Sequence, residues 1–186
     1  DYSSVKANFT HNTQFIQMAN NSDSGSPLDL WFPASPNIKP QEANQYSVGY
    51  FRNFNNNSIE TSVEFYYKGM HNVIDFKDNA QILFNDKLEG EIRTGKGKSY
   101  GMEIMVKKNT GRLTGFVNYT LAHTDRTIPG INEGKTYLAP NDKTHSVNIL
   151  ASYNLTKKWD VSAEWVFSTG TPVTYPTGRF EINGEY

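Results

Sequence analysis

Residues 99–122 read SYGMEIMVKKNTGRLTGFVNYTLA, and this stretch decides the fold. Before a turn signal at residues 109–111, apolar side chains occupy every second position from Tyr100 to Val106. After it, the same alternation runs from Leu113 to Leu121 with few interruptions. A period of two places alternate side chains on opposite faces of a β-strand, and Asn and Gly suit tight turns. The stretch therefore predicts an antiparallel hairpin with one apolar face and one polar face.

The same alternation extends to both sides of this hairpin, at residues 59–68, 146–153 and 159–168. Over these five strands, the first face has 23 positions, of which 21 are apolar or aromatic and none is charged. The second face has 24 positions, with seven charges and six apolar or aromatic residues. Plotted with a helical period, the same side chains scatter around the cylinder, so the pattern excludes an amphipathic helix.

Two further strands are predicted at about 4–18 and 43–54, and an eighth begins near Arg179. The predicted fold class is all-β, an antiparallel up-and-down meander of about seven or eight strands. Residues 1–186 are treated as one partial β-barrel domain. The first residues read like the middle of a strand, so we expect the chain to be a fragment of a longer protein.

The predicted connections alternate between short and long. Short turns fall at 55–57, 109–111 and 156–158, and long polar connections fall at 19–42, 71–98, 124–143 and 169–178. Short turns at one end and long loops at the other are typical of a transmembrane β-barrel, whose strands need about 9–11 residues. A soluble β-sandwich also has one apolar face per sheet, so a small barrel or soluble β-domain acting as an adhesin or structural envelope module stays an alternative.

Two observations favour the barrel over the sandwich. The apolar face lacks charge over strands longer than those of most soluble sheets. Aromatic side chains also lie near the ends of the strands on that face, where barrels carry interfacial girdles. These residues are Tyr100, Tyr153, Trp159 and Phe167.

Charge and composition exclude several other classes. The chain has 18 basic and 19 acidic residues, a net charge of −1, which offers no electrostatic basis for binding nucleic acid. It has no cysteine, hence no disulfide, thiolate nucleophile or cysteine metal site. No apolar run has the length of a membrane helix, and no signal peptide is recognisable.

No motif predicts catalysis, a cofactor or a metal. Gly90, Gly95 and Lys96 fit a phosphate-binding pattern, but Gly97 stands where Ser or Thr is required. Glu60 and Glu64 lie about 13 Å apart along one strand, beyond the reach of a glycosidase pair. The four histidines show no metal-ligand spacing, and the catalytic triad that an envelope enzyme on a small barrel would need is missing. These histidines are His11, His71, His123 and His145.

Five stretches resemble the barrels of TonB-dependent receptors from Bacteroidetes-type bacteria. They are residues 35–50 (SPNIKPQEANQYSVGY), 64–76 (EFYYKGMHNVIDF), 100–121 (YGMEIMVKKNTGRLTGFVNYTL), and the pair 140–145 (PNDKTH) and 167–174 (FSTGTPVT). The resemblance covers roughly residues 30–180, and it is the order and spacing of these weak motifs that is specific.

The resemblance implies the C-terminal part of an outer-membrane barrel of about 22 strands with an N-terminal plug. Such receptors import scarce solutes (iron chelates, cobalamins, glycans or peptides) with energy passed on by TonB. The TonB contacts would lie in N-terminal regions that this sequence lacks. The implied partners are therefore a solute, TonB and outer-membrane lipid, and the free edges of an isolated fragment would self-associate. Candidate solute contacts are the aromatic residues of the long loops, Trp31, Phe32 and Tyr137.

Overall fold

The computed structural model of the chain describes residues 2–20, 29–82 and 84–173. Ten β-strands and two short 3-10 helices (Leu88–Glu91 and Asn132–Gly134) form this part of the chain. The strands are β1 (Tyr2–Gln14), β2 (Ile16–Asn20), β3 (Asp29–Pro33), β4 (Gln41–Phe54), β5 (Ile59–Phe76), β6 (Ile92–Lys108), β7 (Leu113–Thr127), β8 (Tyr137–Leu138), β9 (His145–Asn154) and β10 (Asp160–Ser168). Within these residues, no helix is long and apolar enough to cross a bilayer.

Seven strands form one antiparallel meander in the order β1-β4-β5-β6-β7-β9-β10, and β8 adds a short pairing to β7. β2 and β3 pair with each other as a separate hairpin. The predicted all-β meander is therefore confirmed. The turn between β4 and β5 uses Asn55, Asn56 and Asn57, all at positive φ, as their residue type predicts.

Several predicted strand ends were wrong. The connection expected over 71–98 is much shorter, because β5 continues to Phe76 and β6 already begins at Ile92. β7 likewise runs to Thr127, inside the connection expected over 124–143. The strand expected over 4–18 is interrupted at Phe15, and β2 leaves the main sheet to pair with β3 inside the expected connection 19–42. The eighth strand expected near Arg179 lies outside the described residues.

Residue register aligns the apolar side chains across the whole sheet. One level runs through the mutually paired residues Val5, Tyr50, Val63, Ile104, Tyr119, Val147 and Phe167. Much of this face is solvent-exposed, and Val5, Tyr50 and Phe167 keep 70%, 45% and 47% of their surface. In the described part of the chain, no second sheet covers it, so the two-layer core of a sandwich is not formed there.

Candidate functional site

We call the side of the sheet that carries Tyr67 and Tyr100 the apolar face, and the side that carries Glu64 and Glu103 the polar face. The ends of the sheet are the short-turn end, with the turn at 55–57, and the long-loop end, with the connection at 77–91. The register assigns every residue of the main sheet to a face and a level.

An aromatic row closes the apolar face toward the long-loop end. It consists of five residues paired in succession across five strands, Phe9, Tyr46, Tyr67, Tyr100 and His123. Ring centroids of Phe9 and Tyr46 lie 5.0 Å apart, and those of Tyr100 and His123 lie 5.2 Å apart. Rows of this kind mark the level at which a membrane barrel leaves the hydrocarbon.

The chemistry of the apolar face changes one level beyond this row. The next aligned residues are His11, Asn44, Gly69, Lys98 and Asp125. In the other direction, the apolar positions of β5 extend from Tyr67 to Ile59, eight residues or about 27 Å along the strand. At a tilt of about 40° this is roughly 20 Å of height, close to the apolar band of an outer-membrane barrel.

Cationic and aromatic side chains combine at the short-turn end. The guanidinium of Arg52 lies 4.7 Å from the centre of the Phe54 ring, and that of Arg112 lies 5.2 Å from the Tyr153 ring. Arg112 also donates to the carbonyl oxygens of Asn154 and Leu155. At a membrane interface, the aliphatic part of an arginine side chain typically lies on apolar surface while its guanidinium group lies among interfacial aromatic residues.

The polar face carries carboxylates, lysines and hydroxyls. Lys107 lies 3.9 Å from Glu60, and Glu64 pairs directly opposite Glu103. The sequence gives the distance between two carboxylates only when both lie on one strand. The proximity of Glu64 to Glu103 on the neighbouring strand was not predicted, because it depends on the strand register. Directly opposed like charges repel unless water surrounds them, so this pair fits a wet wall.

At the long-loop end, a small apolar core joins the β2–β3 hairpin to the ends of β5 and β6. We call it the loop-end core; its buried members are Ala19, Phe32, Ile38, Ile74, Phe76 and Ile92. A bulge at Asn72, whose φ is 56°, shifts the register of β5 and moves Ile74 and Phe76 to the side of Ile92. The Asn72 amide also donates to the Pro40 carbonyl at 3.0 Å. The hairpin is thereby held in a defined position above the sheet.

A buried polar cluster lies beside this core. The Asp75 carboxylate accepts hydrogen bonds from Arg126 Nη1 at 3.0 Å and from the Tyr137 hydroxyl at 2.9 Å. Burial raises the pKa of the Asp75 carboxyl above its ordinary 3.8; the Arg126 charge and the hydrogen bonds from Tyr137 and the Phe76 amide oppose this shift. Burial likewise raises the pKa of the Tyr137 hydroxyl, and the nearby Asp75 charge adds to it. Tyr137 is therefore a hydrogen-bond donor over the physiological range.

The three predicted solute contacts occupy different environments. Trp31 is 63% exposed on the β2–β3 hairpin, opposite Met18. Phe32 packs inside the loop-end core, edge to face with Phe76 at 5.9 Å, and keeps only 7% of its surface exposed. Tyr137 lies on β8, and its hydroxyl is already bound to Asp75. The assignment of Trp31, Phe32 and Tyr137 to solute binding stays a prediction.

The other motifs singled out from the sequence have structural surroundings. Gly95, Lys96 and Gly97, which belong to the partial match to a phosphate-binding motif, lie within strand β6. His11 hydrogen-bonds Asn44 at 2.8 Å, and His145 hydrogen-bonds the Tyr119 hydroxyl at 2.9 Å. Across residues 2–20, 29–82 and 84–173, no three His, Asp or Glu side chains converge as metal ligands would.

Asp142 orders the connection that precedes β9. Its Oδ1 accepts from the Thr124 amide at 2.6 Å, and its Oδ2 accepts from the Thr144 hydroxyl at 3.3 Å. The side chain is buried, with 4% of the residue exposed. Asp142 therefore fastens the long connection to β7.

Comparison with known proteins agrees with this geometry. The family model described as "TonB dependent receptor-like, beta-barrel" matches residues 1–186, the whole chain. No curated protein and no solved structure matched the chain in the corresponding searches.

Proposed function

Because the chain belongs to the TonB dependent receptor-like β-barrel family, an outer-membrane family of transport receptors, we propose that it forms part of the wall of a barrel that imports a scarce, large solute. One observation carries the proposal. The apolar face keeps its level across seven strands, and on five of them it ends in a common aromatic row toward the long-loop end. A lipid layer requires such a level boundary, whereas a soluble core does not.

We place the long-loop end on the cell exterior and the short-turn end in the periplasm. Bacterial outer-membrane barrels have short periplasmic turns and longer extracellular loops. In this orientation the loop-end core and the Asp75 cluster stand above the membrane on the outside. Packed loops offer a solute a preformed surface, which lowers the entropic cost of binding.

Trp31 and Tyr137 are the side chains that we propose contact the solute. The exposed indole of Trp31 has a large apolar surface and one donor, the usual chemistry of a solute platform. Tyr137 would contact the solute through its ring, since its hydroxyl serves Asp75. The solute class within the proposal is an iron chelate, a cobalamin, a glycan or a peptide, and the motif spelling supports a Bacteroidetes-type receptor.

The proposal also includes energy coupling through TonB and further barrel strands that pair with the two edges of the sheet. β1 and β10 are the edges of the meander and have unpaired backbone groups on one side in the described residues. Further barrel strands would satisfy these groups, and an isolated chain would self-associate through them. A plug and a TonB contact would be contributed by segments N-terminal to this one.

Binding to the complete receptor tests the solute proposal. A panel with one member of each solute class is titrated against the purified receptor, followed by uptake into cells with and without a proton gradient. The solute that binds should lose affinity about tenfold or more with Trp31→Ala, as expected for a central aromatic contact. Trp159→Ala is the matched control, since Trp159 is 72% exposed but lies at the short-turn end.

Two results would contradict the proposal. Equal loss of affinity in Trp31→Ala and Trp159→Ala would contradict solute binding at the long-loop end. Uptake that persists at full rate without a proton gradient would contradict energised transport. Phe32→Ala separates packing from binding, because it should loosen the loop-end core, while Trp31→Ala should leave protease resistance of the hairpin unchanged.

A further inference from the structure

A hollow with two lysines lies on the apolar face immediately beyond the aromatic row. It has a volume of about 260 Å³, and its lining includes Tyr67, His71, Lys96 and Lys98, together with Asp125 and Thr127 of β7. Gly69 lies on this face between Tyr67 and His71, so β5 contributes no side chain opposite Lys98. The hollow exists because Gly69 has no side chain.

The two lysines differ in their partners. Lys98 Nζ lies 3.4 Å from Asp125, which also receives His123 Nε2 at 3.3 Å. Among the described residues, no carboxylate lies within ion-pair distance of the Lys96 ammonium. The Asp125 side chain is 9% exposed and is shared between the Lys98 ammonium and the His123 imidazole. Glu42 is paired with His71 in the register and lies on the same face.

The level of the hollow matches the headgroup layer. Lys98 and Lys96 are two and four residues beyond Tyr100, about 7 and 13 Å along a strand. At a tilt of about 40° these steps correspond to heights of roughly 5 and 10 Å above the aromatic row. The headgroup layer extends about 5–7 Å beyond the hydrocarbon on each side. Lys98 lies within this layer, whereas the backbone of Lys96 lies roughly 3 Å beyond its outer limit, a distance that the four-carbon stem of a lysine can span.

We propose that this hollow binds a phosphate group of a lipid headgroup in the leaflet that faces the cell exterior. The phosphate would sit above Gly69, with the Lys96 and Lys98 ammonium groups as its donors, and the acyl chains would continue down the apolar face past Tyr67. Lysine ammonium groups bind phosphate as point charges, and each basic residue near an anionic surface adds attraction. The choice of leaflet rests on the orientation given under the proposed function.

The test uses the complete receptor in detergent and lipid A, a glycolipid with phosphates, together with its dephosphorylated form. Native mass spectrometry or a fluorescence titration measures binding. The double variant Lys96→Gln, Lys98→Gln should bind phosphorylated lipid A about tenfold or more weakly, from roughly 1 kcal/mol per lysine. Wild type should bind the dephosphorylated lipid as weakly as the double variant binds the phosphorylated one.

Two variants make the result specific. Lys68→Gln is the matched control: Lys68 pairs with Ser99 at a similar height but on the polar face, so its loss should leave lipid affinity unchanged. Gly69→Val fills the hollow without touching a charge. A Cβ at Gly69 meets its nearest neighbour, the Tyr67 ring, at an ordinary 3.9 Å, so this variant should fold and still bind phosphorylated lipid A less tightly.

Equal affinity of wild type and the Gly69→Val variant would overturn the proposal, even if the double variant failed to assemble. So would equal binding of the two lipid forms by wild type. Displacement of the lipid by inorganic phosphate at the same concentration would identify a soluble anion as the ligand instead. Solute uptake is measured separately, so a failure here leaves the transport proposal standing.

Discussion

Arg126 donates a hydrogen bond from Nη1 to Oδ2 of Asp75 at 3.0 Å, although β6 lies between the strands that carry them. The two side chains can meet because the intervening strand presents Gly95 and Gly97 on this face. Gly97 is paired with Arg126 itself. Two strands are thereby tied over a third at the long-loop end of the sheet.

Removal of the Arg126 charge should destabilise this end of the barrel. Arg126→Met leaves the Asp75 carboxylate buried without its cation, and losing one partner of a largely buried pair costs about 3 kcal/mol. Thermal unfolding of the complete receptor in detergent measures the effect. Lys135→Met is the control, because Lys135 and Glu133 are 72% and 80% exposed, and an exposed pair contributes about 0–1 kcal/mol. Equal shifts in the two variants would contradict a special role for Arg126.

Asp75 should also make stability depend on pH. Its pKa is raised in the folded state, so the folded protein holds this proton more tightly than the unfolded chain, whose carboxyl has the ordinary 3.8. The stabilising contribution is therefore fully present below that value and is lost as pH rises through the raised pKa. Unfolding midpoints of wild type and Asp75→Asn, compared over this interval, should show wild type losing stability relative to the variant. A constant difference would show that Asp75 does not titrate in this way.

Gly95 should tolerate no side chain. A Cβ there would collide with the Thr127 carbonyl oxygen and lie 2.7 Å from the Cα of Ile128, both of them backbone atoms. Gly95→Ala should cost about 1–3 kcal/mol, the usual penalty of overpacking, and should reduce the fraction of assembled barrel on a heat-modifiability gel. Gly69→Ala, where the nearest atom is 3.9 Å away, should assemble like wild type. Full assembly of Gly95→Ala would show that β6 and β7 can move apart there.

Charge on the apolar face should impair membrane assembly. Val117 pairs with Val106 and Ile149 within the apolar face and is 43% exposed. Val117→Arg should cost about 2–4 kcal/mol if this level meets hydrocarbon. Asn118→Arg, one residue along and on the polar face, should be tolerated. Folding into vesicles followed by gel mobility distinguishes the two, and equal tolerance would argue against a lipid-facing surface.

The apolar face could be predicted because the alternation of side chains within each single strand is enough to identify it. Alternation within residues 59–68 or 113–122 needs no knowledge of neighbouring strands, since a strand places side chains on opposite faces by its own geometry. Turns could be predicted for the same reason, as Asn55 to Asn57 adopt positive φ through their residue type. The solute contacts were harder, because Phe32 and Trp31 are adjacent and only packing tells which of them is buried.

The ends of β5 and β6 escaped prediction for a physical reason. Gly95 and Gly97 have no side chain, and Lys96 and Lys98 occupy the apolar face beyond the membrane level, so the alternation of hydrophobicity stops while the strand continues. The bulge at Asn72 then exchanges the faces of the residues that follow it. An alternation of apolar and polar residues with a period of two does not show where a bulge shifts the register by one residue.

The order of apolar and polar side chains along each segment determined by itself that this chain forms a sheet with one apolar and one polar face, because that partition acts on each strand separately. Only the tertiary structure decided which side chains meet. Asp75 lies 51 residues from Arg126 and 62 from Tyr137, and contacts over such distances depend on register, on the bulge and on the glycines between the strands. The hollow beside Lys96 was decided in the same way, by two strands whose alignment no single segment contains.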